Sequence, residues 1–208
     1  MKIRTVEFAG AVASPGARGP GGLPEVAFAG RSNVGKSSLI NRLLGRTRSP
    51  VARVSGSPGK TREVNFFLVD ALRSDTSEPV EFYLVDLPGY GYARVPATVR
   101  QGWKPLIEGY LKGSTGLRGV VQLVDSRHGP TGDDLRMLEF LAALSVPTLV
   151  ALTKVDKLKP TQRKKQMTAI GDRLGLDPDQ VVPFSARTGE GREALLESVE
   201  TLLTEGEP

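Results

Sequence analysis

The 208-residue chain contains no cysteine, which excludes disulfides, thiol nucleophiles and thiolate metal sites. Its one histidine, His128, follows Val124-Asp125-Ser126-Arg127 in a polar stretch with no evident acid partner, so a surface or supporting role is the default. No apolar run approaches ~20 residues, so neither a membrane-spanning helix nor membrane insertion is expected. Met1–Phe8 lacks the apolar centre of a signal peptide. Together these absences fit a cytoplasmic protein. No internal repeat or second domain is visible, and the length suits one domain with a sizeable core.

Negative charge is also scarce where it would matter. Residues 1–62 hold 11 Lys/Arg against 2 Asp/Glu (+9), whereas residues 63–208 hold 17 against 21 (−4), giving the net +5. Asn41 to Arg62 carries Arg42, Arg46, Arg48, Arg53, Lys60 and Arg62 with no acid. Two readings stand: a polyanionic partner such as RNA, or a soluble basic loop that helps attract a phosphorylated ligand. A second basic cluster, Lys154 to Lys165, reads as a solvated helix face.

Against this background one stretch carries chemistry. Gly30-Arg31-Ser32-Asn33-Val34-Gly35-Lys36-Ser37 fits G-x-x-x-x-G-K-[ST], between the apolar Val26–Ala29 and the helically spaced Leu39, Ile40, Leu43 and Leu44. Glycines let backbone N–H groups surround phosphates, and the following helix adds its positive end. Lys36 would reach the β- and γ-phosphates, and Ser37 would ligate Mg²⁺.

Hydropathy patterning places strands at Val26–Ala29, Val64–Val69, Val80–Val85, Gly119–Val124, Pro147–Leu152 and Val181–Phe184, with Lys2–Phe8 as an added strand. Helices are expected at 36–45, Ala97–Lys112 (carrying Trp103 as a core residue), Asp133–Leu144, Thr161–Leu174 and Glu190–Leu203. Ser14–Pro24, 46–63 and 87–96 read as loops. The short Arg73–Pro79 link predicts an antiparallel hairpin. Alternating strands and helices predict an α/β fold, a mostly parallel sheet covered on both faces.

Three further loops follow strand ends. Asp86-Leu87-Pro88-Gly89 supplies a carboxylate that can hold Mg²⁺ through water and a glycine N–H for the γ-phosphate. Thr153-Lys154-Val155-Asp156 supplies a carboxylate able to accept both N1–H and N2–H₂ of guanine, donors that adenine lacks. The Lys154 stem can lie along the base. A backbone N–H of Ser185-Ala186 could reach guanine O6.

Order and spacing resemble the P-loop GTPases. More narrowly, the chain is similar to the EngB (YihA/YsxC) family of bacterial ribosome-assembly GTPases, within the TrmE-Era-EngA-YihA-septin-like superfamily. The resemblance rests on Gly30–Asn41, Pro58-Gly59-Lys60-Thr61-Arg62, Asn65-Phe66-Phe67, Asp86-Leu87-Pro88-Gly89-Tyr90-Gly91-Tyr92-Ala93, Thr153–Lys157 and Ser185-Ala186. It implies a Ras-like three-layer fold with a six-stranded sheet containing one antiparallel strand. It places a G domain at 25–205 behind a 1–24 extension, whose Gly/Pro stretch at 14–22 has no assigned role.

The expected nucleotide site is Gly30, Arg31, Ser32, Asn33, Val34, Gly35, Lys36, Ser37, Ser38, Gly59, Lys60, Thr61, Asp86, Gly89, Thr153, Lys154, Asp156, Ser185 and Ala186. The expected Mg²⁺ ligands are Ser37, Thr61 and, through water, Asp86. The resemblance makes Thr61 a ligand that arrives with the γ-phosphate, so that 50–62 would act as a nucleotide sensor; otherwise Thr61 simply leads into the next strand. Lys36, Thr61, Gly89 and Asn33 are the catalytic candidates. Tyr90 stands where Ras-like GTPases carry a water-orienting Gln, which implies slow intrinsic turnover and outside acceleration. Asn33 is either a ligand for a K⁺ ion beside the phosphates or a turn residue. The implied partners are GTP/GDP and the large (50S) ribosomal subunit, acting as a monomer, with a linked role in cell division and septation. The alternative is a GTP-regulated scaffold acting directly on division-septum proteins; a metabolic P-loop kinase is a distant third.

Overall fold

The computed structural model describes residues 1–52, 63–91 and 97–205, and only the helical backbone of 97–103 and 205. Its elements are β1 (Lys2–Val12), β2 (Glu25–Gly30), α1 (Lys36–Leu43), β3 (Val64–Leu72), β4 (Pro79–Asp86), α2 (Ala97–Gly113), β5 (Leu117–Asp125), α3 (Gly132–Ala143), β6 (Thr148–Thr153), α4 (Pro160–Leu174), β7 (Val181–Pro183) and α5 (Arg192–Glu205). The strands form one sheet in the order β1-β3-β4-β2-β5-β6-β7. Only β3 runs against the others, pairing antiparallel with both β1 and β4.

β2 lies at the centre, parallel to β4 and β5. All six of its residues are buried, as expected for a strand covered on both faces. Val26 and Phe28 face a cluster built with Leu39, Ile40 and Leu43 of α1 and Leu195, Leu196 and Val199 of α5. Ala27 and Ala29 face Leu106, Ile107 and Leu111 of α2 and Leu141 of α3. α4 covers Val124, Val150 and Leu152 through Ile170. Each large buried side chain contributes roughly 1.5–3 kcal/mol, so the β2 sandwich anchors the strand whose end carries the phosphate motif.

The chain passes from β2 to β4 on one side and then to β5 on the other. That reversal leaves a crevice at the carboxyl edge, where ligands of open α/β sheets bind.

The sheet has seven strands, the six that the resemblance implies and the added strand expected near the N-terminus, because β1 joins the same sheet. β1 runs to Val12, past the expected Phe8, and shifts register at Ile3/Thr5 and Phe8/Gly10. Only Val6 within it is buried, so its alternation is faint. Phe8 is 61 % exposed and meets Phe67 edge-on at 5.9 Å. The hairpin is as expected, although β3 reaches Leu72. α5 starts at Arg192 rather than 190, because Gly191 (φ +77°) must bend there. A Cβ on Gly191 would fall 1.8 Å from the Pro183 carbonyl. α1 ends at Leu43, closed by Gly45 at φ +69°. The expected sites Gly59, Lys60 and Thr61, like Arg53, Arg62, Tyr92, Ala93 and the Trp103 side chain, lie outside the described residues.

Asn41, on the last turn of α1, is buried and sews the following loop to the helix. Its Oδ1 accepts from the Val51 and Ala52 N–H groups (2.9 and 3.0 Å), and its Nδ2 donates to the Ala52 carbonyl (2.7 Å). An Asn41→Ala change strands these backbone groups. It should destabilise the protein by about 2–4 kcal/mol, read as a lower urea midpoint with unchanged m.

Candidate nucleotide-binding site

β2 delivers Gly30 into a space with no room for a side chain: a Cβ there would lie 2.9 Å from Val34 Cγ1 and 3.0 Å from Leu123 Cβ. The loop then turns through left-handed positions at Asn33 (φ 64°) and Gly35 (φ 106°), and α1 begins. Its outward carbonyls are taken. Thr153 Oγ1 donates to Val34 O (2.8 Å), and Lys154 Nζ donates to Asn33 O (2.7 Å). Among the described residues the N–H groups of Gly35, Lys36, Ser37 and Ser38 have no backbone acceptor. Unpaired N–H groups at a helix start, with no acid in the first turn, form an anion cradle.

Beside the cradle, Lys36 Nζ donates to Asp86 Oδ1 in a salt bridge. Both are enclosed, at 8 % and 3 % exposure. The parallel register that pairs Phe28 with Asp86 brings the acid there. Among the described residues no group of three or more His, Asp or Glu side chains could hold a metal. Mg²⁺ binds through one or two protein oxygens plus substrate phosphates rather than in an all-protein cage. The Ser37 hydroxyl and the Asp86 carboxylate provide such hard oxygen donors next to the cradle.

The segment after Asp86 is laid against the phosphate loop. Leu87 N–H donates to Phe28 O (3.1 Å), Tyr90 N–H to Gly30 O (3.3 Å) and Ser32 N–H to Tyr90 O (2.9 Å). Ser32 Oγ donates to Gly89 O (3.3 Å). A Cβ on Gly89 would lie 3.1–3.2 Å from Ser32 atoms, a contact that Ser32 could accept only by shifting. Arg31 and Tyr90 form a parallel bridge. The Tyr90 phenol turns inward to Asp134 and Gln122 and is not available to orient a water.

At the other end lies a cavity of about 370 Å³, lined by Gly35, Ser38, Lys154, Asp156, Ala186 and Arg187 among others. The Asp156 carboxylate is 7 % exposed and accepts from Ser185 Oγ (2.8 Å) and Arg187 Nε (2.9 Å). Burial opposes its ionisation, but the hydrogen bonds from Ser185 and Arg187 and the charges of Arg187 and Lys157 outweigh it and hold the carboxyl below its ordinary value. The Ser185 N–H already donates to Glu190 O (3.0 Å), so of the two backbone donors expected here only Ala186 N–H is without a backbone acceptor among the described residues. Arg42 steadies this loop through the carbonyls of Ala186 (2.7 Å) and Arg187 (2.9 Å).

The structure thus gathers the expected residues 30–38, Asp86, Gly89, Thr153, Lys154, Asp156, Ser185 and Ala186 at one edge. Sequence reasoning missed Arg187, although it directly follows Ser185-Ala186. It also missed Asp125, which anchors Lys154 (2.9 Å) and binds Arg127 (2.7 Å), and whose signal is its place at a strand end. Burial disfavours the Asp125 charge, but hydrogen bonds from Arg127 and Lys154 win and depress its pKa well below the usual carboxylate range. His128 is exposed and outside this constellation.

Two outcomes follow from these carboxylates. Asp156→Asn should weaken guanine nucleotide binding about 10²-fold and erode the preference over adenine, measured by calorimetry with GDP and ADP. For pH, the folded pKa values of Asp125 and Asp156 lie below the unfolded value of about 3.9. Their stabilisation is therefore complete above that value and lost as pH falls through the folded ones. GDP affinity should stay flat from about pH 5 to 8 in fluorescent-nucleotide titrations; a carboxylate step in that window would contradict the assignment.

Comparison with known proteins agrees with this geometry. The family model described as 50S ribosome-binding GTPase matches residues 25–154, and that of the elongation factor Tu GTP binding domain matches 107–205. The chain is 53 % identical over 204 residues to the probable GTP-binding protein EngB of Gemmatimonas aurantiaca, covering 98 % of this chain and 95 % of that protein. It is 46 % identical over 208 residues to that of an Exiguobacterium species, covering both chains in full. A crystal structure of a probable GTP-binding protein EngB superposes with a TM-score of 0.66 at 26 % identity, covering 87 % of this chain and 99 % of the other. Aquifex aeolicus Era bound to GDP·AlF4⁻ shares the fold, with a TM-score of 0.70 at 24 % identity over 89 % of this chain and 58 % of that one. With the phosphate-loop motif at the end of β2, the paired Lys36 and Asp86, and this identity over nearly the full length, the chain belongs to the EngB family of P-loop GTPases.

Proposed function

We propose that this GTPase is a nucleotide-driven switch in assembly of the large ribosomal subunit, working as a cytoplasmic monomer with a linked role in cell division and septation. The G domain spans 25–205, and 1–24 adds β1 to its sheet. The observation that carries the nucleotide half is the convergence of Lys36, Asp86, Gly89 and Asp156 on one carboxyl edge. The ribosomal half is supported by the description of the matching family model and by exposed basic side chains, Arg48 in the segment after α1 and Arg187 beside Asp156.

In this reading the N–H groups of Gly35 to Ser38 and the Lys36 ammonium hold the β- and γ-phosphates. Arg31, Ser32, Asn33 and Val34 shape the cradle, and Gly59 and Lys60 flank Thr61. Ser37, Thr61 and, through water, Asp86 would hold Mg²⁺, which when bound neutralises phosphate charge. The Gly89 N–H senses the γ-phosphate. Asp156 accepts guanine N1–H and N2–H₂, Ala186 N–H meets O6, and Thr153 and Lys154 brace the cradle from behind.

With Tyr90 turned inward, no side chain at its position orients the attacking water, so intrinsic hydrolysis is slow. Among the described residues the Asn33 side chain has no hydrogen-bond partner, which suits it to ligate a K⁺ ion beside the phosphates. GTP turnover should then be at least about tenfold faster in KCl than in NaCl of equal ionic strength, the 1.4 kcal/mol of one good charge contact. Equal rates would remove the K⁺ role and return Asn33 to a turn residue.

Ribosome docking is tested by cosedimentation with 50S subunits under a non-hydrolysable GTP analogue and under GDP, across a salt series. Nucleotide-dependent association that weakens as salt rises is the expected result. No association under any nucleotide would favour direct action on division-septum proteins.

A further inference from the structure

The inward course of Tyr90 takes it into a polar network the nucleotide site does not account for. Its hydroxyl donates to Asp134 Oδ1 (3.0 Å) and accepts from Gln122 Nε2. Asp134 is buried at the start of α3, and its other oxygen accepts from the N–H and Oγ1 of Thr131 (2.8 and 2.7 Å). Gln122 is fully buried on β5. Its Oε1 has no hydrogen-bond partner among the described residues, so the Nε2 contact with Tyr90 is what offsets the cost of burying it. Burial and the neighbouring Asp134 charge hold the phenol protonated and therefore able to donate.

The backbone of the same residue grips both sides of the first turn of the phosphate loop, through Gly30 O and Ser32 N–H. Its neighbour Gly89 sits 3.1–3.2 Å, at a virtual Cβ, from Ser32, and its own N–H has no acceptor among the described residues. Gly89 and Tyr90 are adjacent, so the seat of the phenol and the position of that amide are linked through a single stretch of backbone.

We propose that Tyr90 is a positioning residue: clamped by Asp134 and Gln122, it fixes the Gly89 amide where the γ-phosphate must meet it, and so sets the preference for GTP over GDP. The clamp joins three elements, namely the loop after β4, strand β5 and the first turn of α3. The inference rests on the guanine-nucleotide reading, which wild-type binding of GDP over ADP tests separately.

The experiment compares wild type, Tyr90→Phe, Asp134→Asn and the double variant in affinity for a non-hydrolysable GTP analogue and for GDP, both with Mg²⁺. GDP lacks the γ-phosphate, so its binding also reports an intact fold. Tyr90→Phe should lower the GTP-analogue to GDP affinity ratio about tenfold with GDP affinity unchanged. Asp134→Asn, which keeps an acceptor but loses the charge, should lower it less. The double variant should match Tyr90→Phe, since both changes open one clamp. A ratio that is unchanged or raised in Tyr90→Phe, an equal loss for both nucleotides, or additive effects in the double variant would overturn the proposal.

Discussion

Two opposite charges, Lys36 and Asp86, share a site closed to water, and the architecture of the nucleotide edge depends on that pairing. Either charge alone would be severely destabilising there, by about 3–5 kcal/mol. They are brought together by sheet register: β4 lies parallel beside β2 and ends level with Phe28, so its last residue points to the start of α1. An anion for the lysine and a hydrated cation for the aspartate are like-for-like replacements of this internal pair. The site can therefore exchange partners without ever leaving a bare charge in a low-dielectric interior.

Around this pair the loops brace one another more than the elements that carry them do. Thr153 and Lys154 take up the carbonyls of Val34 and Asn33. Asp125 holds Lys154 in turn, and Arg42 of α1 holds the loop of Ala186 and Arg187. The base end and the phosphate end are thus parts of one hydrogen-bonded frame. The Asp156 carboxylate stays ionised and aimed because Ser185 and Arg187 hold it, one on each oxygen, and each oxygen keeps acceptor capacity for a further donor.

Much of this was legible in the chain. Gly30 to Ser37 between an apolar run and a helical one, together with the acids Asp86 at the end of β4 and Asp156 just past the end of β6, mark the edge, because chemistry at strand ends has local signatures. The length of β1 was not legible. An edge strand with one buried residue carries little alternation, and its pairing with β3 is a contact across some sixty residues. The inward turn of Tyr90 was hidden for another reason: its partners, Asp134 and Gln122, lie in distant segments, and a phenol in a Gly-rich loop reads equally as exposed. Asn41 gave no signal of its own, since a polar residue inside an amphipathic helix reads as solvent-facing until the loop it ties is seen.

The core beneath the phosphate loop is closed by the last helix of the chain. α5 packs Leu195, Leu196 and Val199 against Phe28 and the apolar face of α1, and Arg192 donates to the Arg42 carbonyl at 3.0 Å. During synthesis, then, β2 and α1 leave the translating machinery with one flank bare and stay so until the final turns emerge. A topology dominated by such late, distant closures folds slowly and keeps apolar surface exposed meanwhile. The core beneath the phosphate loop is therefore completed only once α5 has been made, and truncation within α5 would leave the apolar flank of β2 and α1 bare.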